Sequence, residues 1–499
     1  MLAARTADSS RENAALRNDN SLGTFKLHHH GDLPCFAPSK SLYIVANRLN
    51  PMNKRQFLKT SGVFITGGVL SRLMTGEQQS AVRTNWAGNY QYSTDRLLLP
   101  KSVEEVQQAV KSGSKMRALG ARHSFNGIAD STDTQISLKL LDQMALDPKS
   151  RTVTVGGGIT YGQLAPYLEG LGFAVHNLAS LPHVSVAGAC ATATHGSGSK
   201  NGNLSTAVSA LEIVTADGEV VTLSREKDGG RFPGAGVALG GLGVVTKVTL
   251  DVQPTFQVRQ VIYENLSLAQ LENHLDDIFS SAYSVSLFTD WQNHRATQVW
   301  IKHRVEPGES FEFPSDFYGA KLATQKLHPL AGHSAENCTE QMGIPGPWFE
   351  RLPHFRINFT PSSGAELQTE YFVPRNRGYE AILAVEKLRD KIGPHLFISE
   401  LRTIDADNLW MSTCYQRPSL AIHFTWKPEW PAVKQLLPLI EEQLAPFDAR
   451  PHWAKLFTMQ PSRLKSLYVK LPDYQELLKH YDPRGKFRNE FLNTNIYGG

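Results

Sequence analysis

The segment from Met116 to Asn126 restricts the possible fold more than any other stretch of the chain. It begins with an apolar run that ends at Gly120, and small residues with a single histidine, His123, follow directly. Glycine permits backbone conformations that are closed to other residues, so successive N–H groups can turn inward and form a concavity for a diphosphate. His123 would lie just beyond it. The segment therefore predicts a flavin site, and a purely structural turn with a satisfied histidine is the alternative.

A run of small residues at 179–198 supports the first interpretation. This stretch has too little bulk for a core element and is too apolar for a linker. Its backbone is therefore expected to pass close to something flat or phosphorylated. A tightly packed turn of small residues is the alternative that has the same composition.

Composition and charge argue against several other classes of protein. A chain of 499 residues with 41% hydrophobic and 9% aromatic residues is typical of a soluble globular protein with two or three cores. Of the 51 basic and 47 acidic residues, 10 and 4 lie in residues 1–74, which leaves 41 basic and 43 acidic residues in the rest. A nucleic-acid partner therefore has no electrostatic support.

Cysteine spacing and short motifs narrow the chemistry further. The four cysteines form no C-x-x-C pair, so a disulfide framework is not indicated, and no metal site is predicted. The chain also lacks G-x-G-x-x-G, the P-loop pattern and H-E-x-x-H. The usual signs of nicotinamide, P-loop and zinc-protease chemistry are therefore missing.

The first 80 residues have the character of segments that precede a folded domain. Residues 1–51 are polar and lack periodicity, which is typical of a disordered segment or a translated upstream extension. In residues 52–80, Lys54 and Arg55 precede an apolar run that is too short to span a bilayer. This order resembles a twin-arginine signal and predicts export to the periplasm. An amphipathic helix on a cytoplasmic protein is the alternative, because Arg72 interrupts the run and no clean Ala-x-Ala follows.

The rest of the chain alternates between strand and helix patterns, which predicts an α+β protein. A change to longer elements at 254–256 separates residues 81–255 from residues 256–455. Predicted helices cover 102–112 and 161–171, predicted strands cover 116–119, 134–138, 152–155, 210–215, 219–223 and 244–252, and longer elements follow at 282–291, 298–304, 379–391 and 433–444.

Three later segments each place polar groups on an apolar background. Glu400 and Arg402 alternate along the strand-like segment 396–403, so their side chains point to one face. His423 and Thr425 have the same spacing, and Lys455 stands alone among apolar residues. Alternating charges on one strand more often form a solvated face, but three such segments together indicate a polar site.

With the two small-residue segments, these features resemble the vanillyl-alcohol-oxidase superfamily of flavoproteins, and within it the bacterial alditol (xylitol) oxidases. The likeness runs from about Thr84 to Phe491, and its further segments are 286–291, 338–341, 345–348, 360–368, 399–403, 421–426, 451–455 and 485–489. The resemblance implies a two-domain α+β fold. Residues 81–255 would bind FAD, residues 256–455 would form a sheet-plus-helices substrate domain, and residues 456–499 would return to the FAD-binding domain.

The resemblance also implies a covalently bound FAD. His123 matches the position that is bonded to the 8α-methyl group of the isoalloxazine ring. The positions that match cofactor-binding residues are Ala118, Leu119, Gly120, Ala121, Arg122, His123, Ser124, Ser180, Ser185, Gly188, Ala189, Cys190, Ala191, His195 and Val245. Two residues depart from the family pattern, because Ala193 replaces a common glycine and Arg122 replaces a smaller residue in some members. Neither change removes a reacting group.

Other matching positions would line the cavity over the flavin. They are the substrate-binding residues Ser180, Glu400, Arg402, Thr425 and Lys455, and the catalytic residues Arg402, Lys455, Glu400 and His423. Arg402 and Lys455 suit the reacting hydroxyl, because cations stabilise an alkoxide and lower its pKa. Glu400 and Ser180 suit the adjacent hydroxyls. The protonation of Lys455 stays open at this point.

The implied activity is oxidation of the terminal primary alcohol of a polyol, such as xylitol or sorbitol, to the aldose. FAD would accept the hydride at N5, and O2 would be reduced to H2O2. An aldonolactone oxidase or dehydrogenase of the same fold is the nearest alternative, although the Ser-Glu-Leu-Arg segment and Lys455 favour an acyclic polyol. A sugar-binding or flavin-storage protein is a further alternative. Polyol and O2 are the expected partners, and a monomer without a membrane span is expected.

Overall fold

The computed structural model describes residues 83–306, 308, 312–357, 359 and 366–498. The predicted extension at 1–51 and the predicted leader at 52–80 lie outside these residues. All described residues belong to one compact unit. No helix within the described ranges combines the length and apolar character that a bilayer crossing requires.

The elements confirm an α+β fold. Within the described ranges the strands are β1 Leu97–Leu98, β2 Met116–Ala118, β3 Thr134–Ile136, β4 Met144–Asp147, β5 Thr152–Gly156, β6 Phe173–Ala174, β7 Val208–Val214, β8 Val220–Ser224, β9 Val244–Asp251, β10 Gln253–Pro254, β11 Gln257–Ser267, β12 Ser284–Thr289, β13 Arg295–Val305, β14 Asp316–Phe317, β15 Ala320–Leu322, β16 Gly346–Pro347, β17 Leu367–Pro374, β18 Leu396–Ile404, β19 Ser419–Trp426 and β20 Arg450–Pro451. The α-helices are α1 Val103–Ser112, α2 Tyr161–Gly170, α3 Val186–Ala191, α4 Arg225–Asp228, α5 Pro233–Gly236, α6 Leu271–Ser280, α7 Gly378–Glu386, α8 Arg389–Ile392, α9 Trp430–Leu444, α10 Pro461–Leu467, α11 Leu471–Tyr481 and α12 Glu490–Leu492.

Three small sheets precede β11, and one of them is the antiparallel pair of β6 and β10. Strands β1, β3 and β2 form a parallel sheet, and β4, β5, β9, β7 and β8 form an antiparallel one in that order. Helix α1 packs Val106 and Val110 between them, in a core that also holds Val214 and Val244. Ser102 caps this helix by accepting a hydrogen bond from the Glu105 N–H, as its sequence predicts.

Strands from residues 257–451 form a large antiparallel sheet. Their order is β14-β15-β11-β13-β12-β18-β19-β17-β20, and β16 pairs with β11. Helices α6, α7 and α9 cover one of its faces and bury it in a common core. Helix α9 passes through Pro438 without ending there. Pro438 lies on the exposed side of the helix, where water can satisfy the carbonyl that proline leaves unpaired. The predicted helix at 379–391 is two helices, α7 and α8.

The strand register places one row of side chains across the face of this sheet that is opposite α6, α7 and α9. The row runs from Glu370 to His423, Glu400, Phe288 and Gln298, each directly opposite the next on the neighbouring strand. Side chains alternate along a strand, so the residues next to these point into the apolar core under α6, α7 and α9. These neighbours are Tyr371, Ile422, Leu401, Leu287 and Val299. The face opposite the three helices is therefore the one that carries polar and charged groups.

The end of the chain packs against segments that precede β11. The Met116 N–H donates to the Lys486 carbonyl at 2.9 Å, and the Tyr474 hydroxyl donates to the Ala238 carbonyl at 2.6 Å. Buried Arg117 donates to the Phe487 carbonyl at 2.8 Å. The exact domain boundaries at 255 and 455 stay predictions.

Candidate active site

One cavity of about 610 Å³ lies between the small-residue segments and the polar face of the large sheet. Its walls come from β2 and the loop after it, from residues 179–195, and from β17, β18 and β19. The predicted residues that line it are Ala118, Leu119, Gly120, Ala121, Arg122, His123, Ser124, Ser180, Ser185, Gly188, Ala189, Ala191, His195, Val245, Glu400, Arg402, His423, Thr425 and Lys455. The fold therefore brings together residues that are far apart in the sequence.

At one end of the cavity, glycines let two backbone segments approach closely. A Cβ atom on Gly120 would lie 2.5 Å from Ser185 Oγ, and one on Gly188 would lie 2.7 Å from the same atom. Gly120 itself does not have a positive φ. The close approach, rather than an unusual conformation, is therefore what requires glycine here, which corrects the conformational argument made from the sequence.

His123 also lines the cavity. Its ring lies on Trp86, with a centroid separation of 4.4 Å. Burial lowers the pKa of His123 to about 4, and the charge of Lys455 acts in the same direction. The imidazole is therefore neutral at pH 7, and a neutral ring nitrogen can act as a nucleophile.

The residues at this end fit FAD. Gly120, Ala121, Gly188 and Ala191 present small side chains and backbone to the cavity, which leaves room in it for a flat ring and a diphosphate. Val245 adds an apolar contact. The fit rests on the shape and donor set of this wall.

On the wall formed by β17, β18 and β19, Glu400 is surrounded by donors. His354 Nε2 donates to Glu400 Oε1 at 2.9 Å, and Arg402 Nη1 lies 3.6 Å from Glu400 Oε2. His423 Nδ1 is 3.9 Å from the same oxygen. Arg402 Nη1 also donates to Ser180 Oγ at 3.4 Å. The predicted substrate residues thus form one connected polar wall.

A second carboxylate, Glu370, joins the two cations of this wall. Arg402 Nη2 donates to Glu370 Oε1 at 2.9 Å, and Lys455 Nζ donates to Glu370 Oε2 at 2.7 Å. His195 Nε2 lies 3.4 Å from Oε1. Glu370 is only 1% exposed. The sequence interpretation missed this residue, although Gln368 and Glu370 show the same i, i+2 spacing that singled out Glu400 and Arg402.

The charges of the wall balance. Burial alone would raise the pKa of Glu370 and of Glu400, but Arg402 is the strongest opposing charge for both and holds each pKa well below its usual range. Burial lowers the pKa of Lys455, while Glu370 opposes that change. Two ionised carboxylates therefore face two cations, which is how buried charges are tolerated.

Comparison with known proteins agrees with this arrangement. A family model described as an FAD binding domain matches residues 94–224, and one described as D-arabinono-1,4-lactone oxidase matches residues 364–495. The alditol oxidase of a Streptomyces species is 45% identical over 423 residues, which cover 84% of this chain and 100% of that protein. This chain belongs to the alditol oxidase family.

More distant relatives match a similar share of this chain. L-Gulono-1,4-lactone dehydrogenase of Mycobacterium tuberculosis is 28% identical and L-gulonolactone oxidase of Mus musculus is 26% identical, each match covering 83% of this chain and 98% of the relative. Cholesterol oxidase from B. sterolicum has a TM-score of 0.65 at 14% identity, over 83% of this chain and 96% of that one. The last similarity shows the fold alone, which this chain shares with that cholesterol oxidase. The resemblance drawn from the sequence is confirmed, and FAD is the cofactor.

Of the residues predicted to bind the cofactor, Cys190 is placed differently from the others. This residue does not line the cavity. Its sulfur lies 3.7 Å from the Tyr161 hydroxyl in the core, and burial raises the pKa of the thiol to about 12. In helix α3, Ala187, Gly188, Ala189 and Ala191 line the cavity, whereas the Cys190 side chain points into the core beside Tyr161.

The two residues that depart from the family pattern share a backbone feature. Arg122 has φ 61° and Ala193 has φ 56°. Both conformations lie in the left-handed region that favours glycine, at a cost of about 1–2 kcal/mol for other residues. Ala193 therefore adopts a backbone conformation that favours the glycine expected at this position.

Buried histidines complete the polar wall. Burial lowers the pKa of His195, His423 and His452, so these rings are neutral at pH 7. Ligand atoms of His195, Glu370 and His452 lie within 4.8 Å of one another, a spacing that a metal ion could use. Glu370 already binds two cationic side chains, which would repel a divalent ion. We therefore interpret the cluster as a hydrogen-bonding site.

Proposed function

We propose that this chain is an FAD-dependent oxidase of polyols, which converts a terminal CH2OH group to an aldehyde with reduction of O2 to H2O2. The observation that carries the proposal is the charge-balanced wall of Glu370, Glu400, Arg402 and Lys455 beside the FAD-binding segments. A polyol needs many donors and acceptors, and this wall supplies both. The name of the Streptomyces relative, an alditol oxidase, agrees with it.

When bound, FAD supplies the acceptor for the hydride and passes the electrons to O2. Arg402 and Lys455 bind the reacting hydroxyl and stabilise the negative charge that develops on its oxygen. Glu400, Ser180 and Thr425 accept or donate hydrogen bonds to the remaining hydroxyls. Lys455 keeps its proton because ionised Glu370 lies 2.7 Å away, so it acts as a donor rather than as a base.

His423 is suited to accept a hydrogen bond from a substrate hydroxyl. It lines the cavity, and burial keeps its pKa well below the usual value. Its Nε2 atom has no hydrogen-bond partner within the described part of the chain. A neutral imidazole with an unused ring nitrogen can accept a hydrogen bond.

A peroxide assay with a panel of substrates tests the activity. Xylitol and sorbitol should yield H2O2, whereas L-gulono-1,4-lactone and D-arabinono-1,4-lactone should yield little. The lactones are the second candidate, because residues 364–495 match the D-arabinono-1,4-lactone oxidase family model. Peroxide from the lactones alone would replace the polyol assignment, and none from either class would support a binding or storage protein.

We further propose that FAD is bonded covalently to His123. The neutral imidazole at the cavity wall supports the bond. After acid precipitation, the yellow colour should stay with the unmutated protein, whereas His123→Ala should release its flavin into the supernatant. His183→Ala serves as the control, since His183 is a nearby histidine that does not line the cavity. Flavin that is released equally from all three proteins would contradict the covalent bond.

We also propose that residues 52–80 direct export to the periplasm. The basic Lys54 and Arg55 before a short apolar run support this role. Fused to a reporter that must fold before export, this segment should carry it into the periplasm. Replacing both residues with glutamine should hold the reporter in the cytoplasm. Cytoplasmic retention of the unmutated fusion would contradict export. That the protein is a monomer stays a prediction.

A further inference from the structure

Lys302 is a buried lysine that the proposed reaction does not use. It lies on β13 and is 1% exposed. Its Nζ atom donates to the carbonyls of Arg351, Leu352 and Pro353 at 2.8, 2.6 and 3.0 Å. An ammonium group has three donors, so these three consecutive carbonyls use all of them. Burial lowers the pKa of Lys302 to about 7, while the charge of Glu400 and the three carbonyl acceptors favour the protonated form. Burying a charged group costs free energy even when its hydrogen bonds are satisfied, so the presence of Lys302 here calls for an explanation.

The segment that Lys302 holds leads directly into the polar wall. The next residue, His354, donates from Nε2 to Glu400 Oε1 at 2.9 Å. The Thr339 hydroxyl donates to the Pro353 carbonyl at 2.8 Å, so the peptide that precedes His354 is held from two sides. The ring of His354 is flanked by Phe288 and Trp300, at centroid separations of 5.4 and 5.3 Å.

We propose that Lys302 is a positioning residue that holds His354 against Glu400 and thereby orients Glu400 toward the substrate. The inference rests on the proposed polyol oxidation, in which Glu400 binds a substrate hydroxyl. Lys302 acts through the backbone at 351–353 and through His354, and it does not touch the substrate.

The electrostatics of His354 agree with this role. Burial lowers its pKa, Glu400 opposes this change, and the charge of Lys302 again lowers it. His354 is therefore neutral and offers Glu400 a single N–H donor. Its Nδ1 atom has no hydrogen-bond partner among the described residues, so Nε2 makes the hydrogen bond that joins the ring to Glu400. A shift of the 351–353 backbone would reach Glu400 through this one bond.

The test measures reduction of the flavin by xylitol in an anaerobic stopped-flow instrument. Lys302→Met keeps most of the side-chain volume and removes the ammonium group. It should raise the half-saturating xylitol concentration about tenfold or more, the scale of losing a hydrogen bond to a charged group, while the limiting rate changes less than about threefold. His354→Phe should do the same. His354→Gln keeps an N–H donor and should restore much of the binding.

Thr339→Val is a matched variant, because it removes the other donor to the same Pro353 carbonyl. It should raise the half-saturating xylitol concentration by a smaller factor than Lys302→Met. If Lys302→Met does not yield folded flavoprotein, the inference is tested with Thr339→Val alone. Melting temperature and flavin content are measured for every variant. Unchanged half-saturation in Lys302→Met, or in Thr339→Val when only that protein folds, would overturn the inference. Equal effects of phenylalanine and glutamine at position 354 would also overturn it.

Failure of the proposed function is recognised separately, in the unmutated protein. If a lactone reduces the flavin and xylitol does not, the polyol assignment fails. The same variants are then compared with that lactone, and unchanged half-saturation would overturn the positioning role by itself.

Discussion

Arg402→Ala and Lys455→Ala should each slow flavin reduction by saturating xylitol by a factor of about one hundred or more, the scale of losing one transition-state donor. Both cations lie at the cavity wall and both bind Glu370. Removing either leaves the developing alkoxide with one donor fewer and leaves Glu370 partly uncompensated. Anaerobic stopped-flow bleaching of the flavin measures the rate.

Two comparisons sharpen this expectation. Reoxidation by O2 should change much less, because that step does not use the polyol alkoxide. Thr425→Val is a control from the same wall, and it should raise the half-saturating concentration more than it lowers the rate, since a neutral hydroxyl serves binding. If Arg402→Ala and Lys455→Ala change only the half-saturating concentration, these cations merely bind the substrate.

Glu370→Gln should have the largest effect on stability. The substitution keeps the shape of the side chain but leaves Arg402 and Lys455 without their shared carboxylate. Removing one partner of a buried ion pair costs about 3–5 kcal/mol of unfolding free energy. Denaturant unfolding at pH 7 measures the difference. The variant should also reduce its flavin more slowly, because Lys455 keeps its proton less readily.

The pH dependence of this difference has a definite sign. The folded-state pKa of Glu370 lies well below the ordinary value of 4.5. Its contribution to stability is therefore fully present above about that value and is lost as the pH falls toward the folded pKa. The gap between Glu370→Gln and the unmutated protein should close on acidification.

Glu441→Gln provides a matched control. Its carboxylate accepts hydrogen bonds from the Tyr371 hydroxyl at 2.9 Å and from the N–H and hydroxyl of Thr458, each at 2.7 Å. Burial raises the pKa of Glu441, so its contribution to stability is present below the ordinary value of 4.5 and is lost as the pH rises through the folded-state pKa. Any stability loss in Glu441→Gln should therefore shrink as the pH rises, which is the opposite of the trend for Glu370→Gln. Equal stability losses with the same pH trend in both variants would contradict the special role of Glu370.

Local sequence patterns predicted most of the elements. The period of Val106 and Val110 places α1, and the Ser102 cap fixes its start. Alternation along 396–403 predicts that Glu400 and Arg402 share a face, because the side-chain period of a strand is fixed at two. Such properties depend on neighbours within one element, so they can be read without knowing the fold.

Sequence patterns did not reveal the partners of these residues. The bonds from Arg402 and Lys455 to Glu370 join residues 32 and 85 positions apart. Strand order and register decide that Glu370, His423 and Glu400 lie in one row. Pairing across a sheet is not encoded in the periodicity of any single strand, so Glu370 showed only the same weak alternation as many surface strands.

By itself, the sequence determined the α+β class and the polar face of β18, and it predicted the flavin segment around Gly120 and His123, because each depends on local composition and period. Only the tertiary structure decided why Gly120 must be glycine, which side of α3 carries Cys190, and that Lys302 holds the segment before His354. These three features arise from close approach between distant segments, and the distances involved exist only after the chain has folded.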